Sequence, residues 1–265
     1  MSELGVQGFR AERETALTVF HSFSEADWDQ PSDCAGWRVR DVLAHLASTI
    51  HGVVDPSFMP TGDDPDIEKN MEGAVDERRA WTVAQVLDEW ETYSAQAAEQ
   101  FAAFQTPGLA EAALPMGTLG THSFGILPDI FTFDLLCHLR NDMLAPNGPI
   151  MRELPAADAT RLQPTMHWML AGLPWMCSAG LAVVDRPLVL RLAGPGGGEY
   201  TLAPGGEDGR ITITPGADAN PAAVVDSTTE AFVVWGTTRR PWRDYCTITG
   251  DAAYAAAVLD AINVI

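Results

Sequence analysis

Residues 28–50 read WDQPSDCAGWRVRDVLAHLASTI, a polar, turn-rich stretch that gives way to a helical one. In its second half Val39, Val42, Leu43, Leu46 and Ile50 recur every three or four residues, the spacing of one apolar helix face. His45 is flanked by Val42 and Leu46 of that face. An imidazole so placed points at whatever the helix packs against.

The rest of the first half has the same texture. Val6, Phe9, Ala16, Leu17, Phe20 and Phe23 form an apolar stripe ahead of it. Thr82 and Gln85 fit a capping box, and Val83, Val86, Leu87, Trp90, Ala97 and Phe101 follow at helical spacing. A further helix is expected from about Pro128 to Leu144, with Pro146 just beyond its end. Four helices patterned in this way pack most simply as a bundle. The connection at 55–80 is acidic at first and then mildly helical, and 106–123 reads as loop.

After Pro146 the character changes. NGPIMRELPAADA reads as a linker, and a helix is expected over about 157–181. Short strands follow: LVLRL at 188–192, EYTLA at 199–203 and RITIT at 210–214. GPGGGE at 194–199 lacks the GK[ST] ending of a phosphate loop and lies between two strand signals, so a hairpin turn is expected there. Residues 222–236 read as a strand leading into a short helix, and the chain closes with an apolar helix. The expected class is α+β, with a helical domain at 1–150 and a smaller α/β domain at 151–265.

Bulk properties narrow the function. With 36 acidic and 16 basic side chains the net charge is −20, which repels nucleic-acid phosphates and anionic membranes. No stretch approaches the roughly 20 apolar residues of a membrane span, and the N-terminus lacks the pattern of a signal peptide. Cys34, Cys137, Cys177 and Cys246 are scattered, with no CxxC pair. A cytoplasmic chain with reduced thiols is expected.

The chemistry centres on FTFDLLCHLRND, residues 131–142. Asp134 and His138 are four residues apart and share a helix face with Phe131 and Asn141. Burying a carboxylate and an imidazole unpaired costs several kcal/mol. A metal ion would satisfy both, and His45 would complete a set of two imidazoles and one carboxylate, as in catalytic zinc sites with an open fourth position. Asn141, Asp142 and Asp41 could orient such ligands. The spacing alone equally allows a helical Asp134–His138 ion pair, with His45 as a core histidine.

The same residues resemble a known family. Trp28, the PSDCAGW segment and RDVLAHLAS resemble the N-terminal signature of the mycothiol-dependent maleylpyruvate isomerase family, within the DinB-like four-helix superfamily. The stretch from Asp134 to Asp142, followed by APNGPI, resembles that family's second metal segment. WGTTRRPWR at 235–243 and TGD at 249–251 resemble its sterol-carrier-like C-terminal domain. The resemblance implies metal ligands at His45, Asp134 and His138, with Asp134 where family members usually carry glutamate. It also implies a divalent metal, most simply Zn2+, and mycothiol as thiol co-substrate. The metal would favour the thiolate, for isomerisation of, or transfer to, a small electrophile. Arg239 or Arg240, in the densest basic cluster, is the expected anion-binding residue near the metal. Two other readings are a binding module without turnover, possibly a sensor, and a redox regulator acting through Cys34 or Cys137. Cys34 is the better candidate for an exposed reactive thiol; Cys137 is expected as a small buried side chain rather than a ligand, and His51 and His122 as loop or helix-end residues.

Overall fold

The computed structural model describes residues 2–58 and 67–264. The most acidic part of the 55–80 connection, residues 59–66, lies outside the described residues. The chain forms two compact units, Met1–Ala156 and Ala157–Ile265.

The first unit is helical. Its frame is α1 (Glu3–Phe20), α3 (Val39–Val54), α5 (Val83–Ala103) and α6 (Leu127–Cys137), with the short α2 (Glu25–Trp28) and α4 (Ile67–Arg78) between them. Each long helix turns its apolar stripe inward. Phe9, Phe20, Val42, Leu43, Leu46, Trp90, Phe101, Leu135 and Leu139 meet in one buried core. Aromatic edges lock the pairs together: Phe20 meets Trp90, and Phe9 meets Phe101, each with ring centroids 5.1 Å apart. Thr82 caps α5 in the capping box expected of it. The stretch 106–123 is not entirely loop, because β1 (Ala113–Pro115) and β2 (Thr121–Ser123) pair antiparallel within it.

The last helix departs from expectation. Regular α-helix stops at Cys137, and His138–Met143 form a π-turn instead of continuing to Leu144. The amide of Leu144 reaches back five residues to the Leu139 carbonyl, at 3.2 Å. Beyond it the chain folds back: Ala145 N donates to Ile150 O at 2.9 Å, and Ile150 N donates to Met143 O at 3.1 Å.

The second unit opens with α7 (Ala159–Met176) and builds a five-stranded mixed sheet in the order β5-β4-β3-β6-β7. β3 (Leu188–Ala193) and β4 (Gly198–Ala203) form the hairpin expected around GPGGGE, with Leu190 opposite Tyr200. β5 (Thr212–Pro215) begins two residues later than the sequence suggests. β6 (Ala223–Thr228) runs parallel to β3 and leads into α8 (Thr229–Gly236). β7 (Thr247–Gly250), which the sequence reading missed, completes the edge before α9 (Ala252–Leu259). α8 packs on β3 and β6, and α9 on β6 and β7. Among the described residues no helix is long and apolar enough to cross a membrane.

Candidate metal centre

Two helices and one loop of the first unit make the site. His45 comes from the middle of α3; Asp134 comes from the last turn of α6, and His138 from the start of the π-turn. The loop before α3 doubles back on itself, with Val39 N donating to Gln30 O at 2.9 Å. This brings Cys34 and Trp37 to the two histidines.

Asp134 Oδ1 lies 3.4 Å from His45 Nε2 and 3.3 Å from His138 Nε2. The two imidazoles meet edge to face, with centroids 4.9 Å apart. These nitrogen–oxygen distances exceed the usual 2.7–3.2 Å of a hydrogen bond. They match the edge of a tetrahedron: arms of about 2.0–2.1 Å put neighbouring ligand atoms about 3.3 Å apart. All three donor atoms lie within 4.8 Å of one another. The donor set therefore fits a divalent metal such as zinc.

The far side of His138 is arranged differently. Its Nδ1 is 2.6 Å from Asp142 Oδ2, a hydrogen-bond length, and Asp142 is almost fully buried. Nδ1–H donates to that carboxylate, which leaves Nε2 for the site. Cys34 Sγ lies 3.8 Å from the same nitrogen. Cys34, His138 and Asp142 also form a compact donor group, but the short bond from nitrogen to carboxylate makes Asp142 a support for the ring. His45 has no such backing. Its Nδ1 is buried without a hydrogen-bond partner among the described residues, and the Trp37 ring packs against it at 5.4 Å between centroids.

Charge in the site is strongly coupled. Burial pushes the Asp134 carboxyl up, but the two imidazoles outweigh this and hold it well below the usual carboxylate range. Burial works against a charged His138 ring; its bonds to Asp134 and Asp142 and its contact with Cys34 outweigh burial, and its pKa is raised well above the ordinary value.

Of the three residues expected to orient the ligands, Asp142 alone is seen to touch one. Asn141 accepts from Asn147 at 3.3 Å, because the π-turn changes which residue follows His138 on its face. Asp41 caps its own helix and pairs with Arg38 at 3.1 Å. Cys34, expected to be exposed, is half-buried against His138. His51, in the last turn of α3 as expected of a helix-end residue, is buried, hydrogen-bonded to Glu89 at 2.7 Å and stacked between Phe58 and Tyr93. Arg239 and Arg240 belong to the second unit, in the turn after α8. There Arg239 N donates to Val234 O at 3.1 Å and Arg240 Nη1 to Arg239 O at 2.6 Å.

A helical bundle followed by a small α+β unit with a five-stranded mixed sheet is the fold class of this chain. Residues 9–141 match the model of the mycothiol maleylpyruvate isomerase N-terminal domain. The chain belongs to that family. The crystal structure of the mycothiol-dependent maleylpyruvate isomerase shares the fold at TM-score 0.59 and 13% identity, over 92% of this chain and 91% of that one. A point mutant of mycothiol-dependent maleylpyruvate isomerase gives TM-score 0.56 at 12% identity, with the same coverage. No curated protein sequence matches the chain.

Proposed function

We propose that this chain is a metal-dependent enzyme that uses mycothiol to isomerise, or to transfer a thiol onto, a small electrophile. It holds one divalent ion, zinc in the simplest case, on His45, Asp134 and His138. The observation that carries this reading is the position of Asp134 Oδ1, 3.4 Å and 3.3 Å from two imidazole nitrogens. Family membership supports the thiol. Among the described residues no disulfide joins the cysteines, which suits the reducing cytoplasm such a thiol chemistry requires.

His45, Asp134 and His138 would hold the ion, which when bound would lower the pKa of a thiol from about 8.5 and favour the nucleophilic thiolate. The protein's own residues do the rest. Asp142 fixes the His138 ring by accepting a hydrogen bond from its Nδ1–H. Trp37 packs on His45 in place of a hydrogen bond. Arg239 or Arg240 is assigned to the carboxylate of an anionic electrophile, which a guanidinium binds in bidentate fashion. For an isomerisation, the thiolate adds to a conjugated double bond, rotation follows about the single bond so formed, and the thiolate leaves again. For a transfer it stays.

The test is metal content together with turnover. Protein purified without chelators is expected to carry about one divalent ion per chain and to act on maleylpyruvate or a related electrophile when mycothiol is present. His138→Ala is expected to lose the ion and the activity. A metal-free wild-type chain that is inert with mycothiol overturns the reading.

A further inference from the structure

The π-turn carries both His138 and its supporting carboxylate, and a π-turn is an uncommon winding found mostly at functional sites. Its middle residue is Arg140. The guanidinium reaches α1, where Nε donates to Glu12 Oε1 at 2.6 Å and Nη2 to Oε2 at 3.0 Å. Its Nη1 donates to Pro155 O at 2.8 Å. Glu12 is completely buried, on the apolar face of α1 between Phe9 and Ala16. A buried carboxylate met by a bidentate arginine is a geometrically exact fixture. Its location also matters: Arg140 stands between His138 and Asp142 in sequence, so a fixture on Arg140 fixes the path of the chain between them.

Two backbone contacts reinforce the same turn. Asp33 N donates to Asp142 O at 3.0 Å from the loop that carries Cys34. Gly148 lies so close that a β-carbon there would fall 2.6 Å from Asp142 O.

We propose that Glu12 and Arg140 are positioning residues for the metal centre. They hold the π-turn in the winding that sets Asp142 on His138, and so act on metal affinity through Asp142, from a helix that supplies no ligand. This rests on the metal reading above.

A buried ion pair can be structural only, and the test has to separate the two. Replacing both partners by apolar residues of similar size, Glu12→Leu with Arg140→Met, removes the fixture without leaving a lone buried charge and is often tolerated by the fold. Zinc affinity, measured by chelator competition, is expected to fall about 10- to 100-fold, the loss typical of a displaced supporting carboxylate. The ligand-field spectrum of the cobalt-loaded protein is expected to shift. Melting temperature and amide NMR spectrum of the metal-free protein away from the turn are expected to stay close to wild type. The same pair of changes made in an Asp142→Asn background is expected to add little, since both act through one contact. If the double variant fails to fold, Arg140→Lys, which keeps the charge and loses the fork, takes its place with the same expectations. Unchanged zinc affinity, or a loss fully additive with Asp142→Asn, overturns the proposal and leaves the metal reading standing. A wild-type chain that takes up no zinc overturns both.

Discussion

At the scale of single residues, the centre is defined by the reach of one short carboxylate. Asp134 Oδ1 stands 3.4 Å and 3.3 Å from the two imidazole nitrogens. Asp134→Glu is expected to lower zinc affinity, because the longer side chain overshoots the point midway between the two rings. Isothermal titration with zinc checks this, and tighter binding by the variant would refute it. Asp142 contributes differently. Asp142→Asn keeps a side chain in place but loses the charge that accepts the Nδ1 proton of His138. It is expected to weaken zinc binding about 10- to 100-fold without abolishing it, whereas His138→Ala abolishes it. His45, backed by Trp37 and no acceptor, is the less firmly oriented of the two imidazoles.

At the scale of elements, the site depends on a helix that changes its winding. α6 runs as regular α-helix to Cys137, and the next six residues form the π-turn. The segment after it, 145–150, folds back on the turn, with Gly148 N donating to Leu144 O at 2.8 Å. A side chain at 148 has nowhere to go, since its β-carbon would press on the backbone of Asp142 and Leu144, each 2.6 Å away. Gly148→Ala is accordingly expected to cost about 1–3 kcal/mol in denaturant unfolding and to weaken zinc binding, as the turn shifts. A variant with wild-type stability and affinity would show that the turn yields freely.

The pairing of Asp134 with His138 is legible because the two break an apolar run at i and i+4. The turn is not. Periodicity over six residues cannot tell a π-turn from α-helix, so Asn141 and Asp142 read equally well as partners of His138, and only the turn separates them. Glu12 is a readable signal of the same kind as that pairing, since a lone acid in the stripe of Phe9 and Ala16 announces a buried partner. The partners of Cys34 and His51, His138 and Glu89, are not legible because tertiary packing brings them together across long stretches of sequence.

At the scale of the whole molecule, the bundle contains a second buried polar knot that owes nothing to the metal centre. Glu89 on α5 accepts from Arg78 of α4, from Nε and Nη2 at 2.6 Å each, and from His51 of α3 at 2.7 Å. Burial raises the Glu89 carboxyl, but these bonds outweigh it, and its pKa is lowered in the folded state. A carboxyl depressed on folding stabilises the native state above its unfolded pKa, about 4.3, and that stabilisation is lost as pH falls through the lower folded value. The first unit is expected to weaken on acidification below about pH 4.3. Glu89→Gln is expected to cost about 3–5 kcal/mol at neutral pH by stranding Arg78, and to flatten the acid dependence. Urea titrations between neutral and acid pH read both quantities; an unchanged acid slope in the variant would show that another carboxyl governs it. The division into a helical and a mixed-sheet unit was legible from the change in periodicity after Pro146. β7 was not, since four residues of alternating threonine and isoleucine next to TGD read as easily as loop.

His45 and Asp134 are 89 residues apart in the chain. Nothing local holds them together, and only the packed bundle makes them neighbours. An ion gripped by α3 and α6 at once would therefore be a removable crosslink, closing a long loop that an unfolded chain leaves open. Its binding energy would be spent on the folded form alone, so the cell's supply of metal would set how long this protein stays folded as well as whether it reacts.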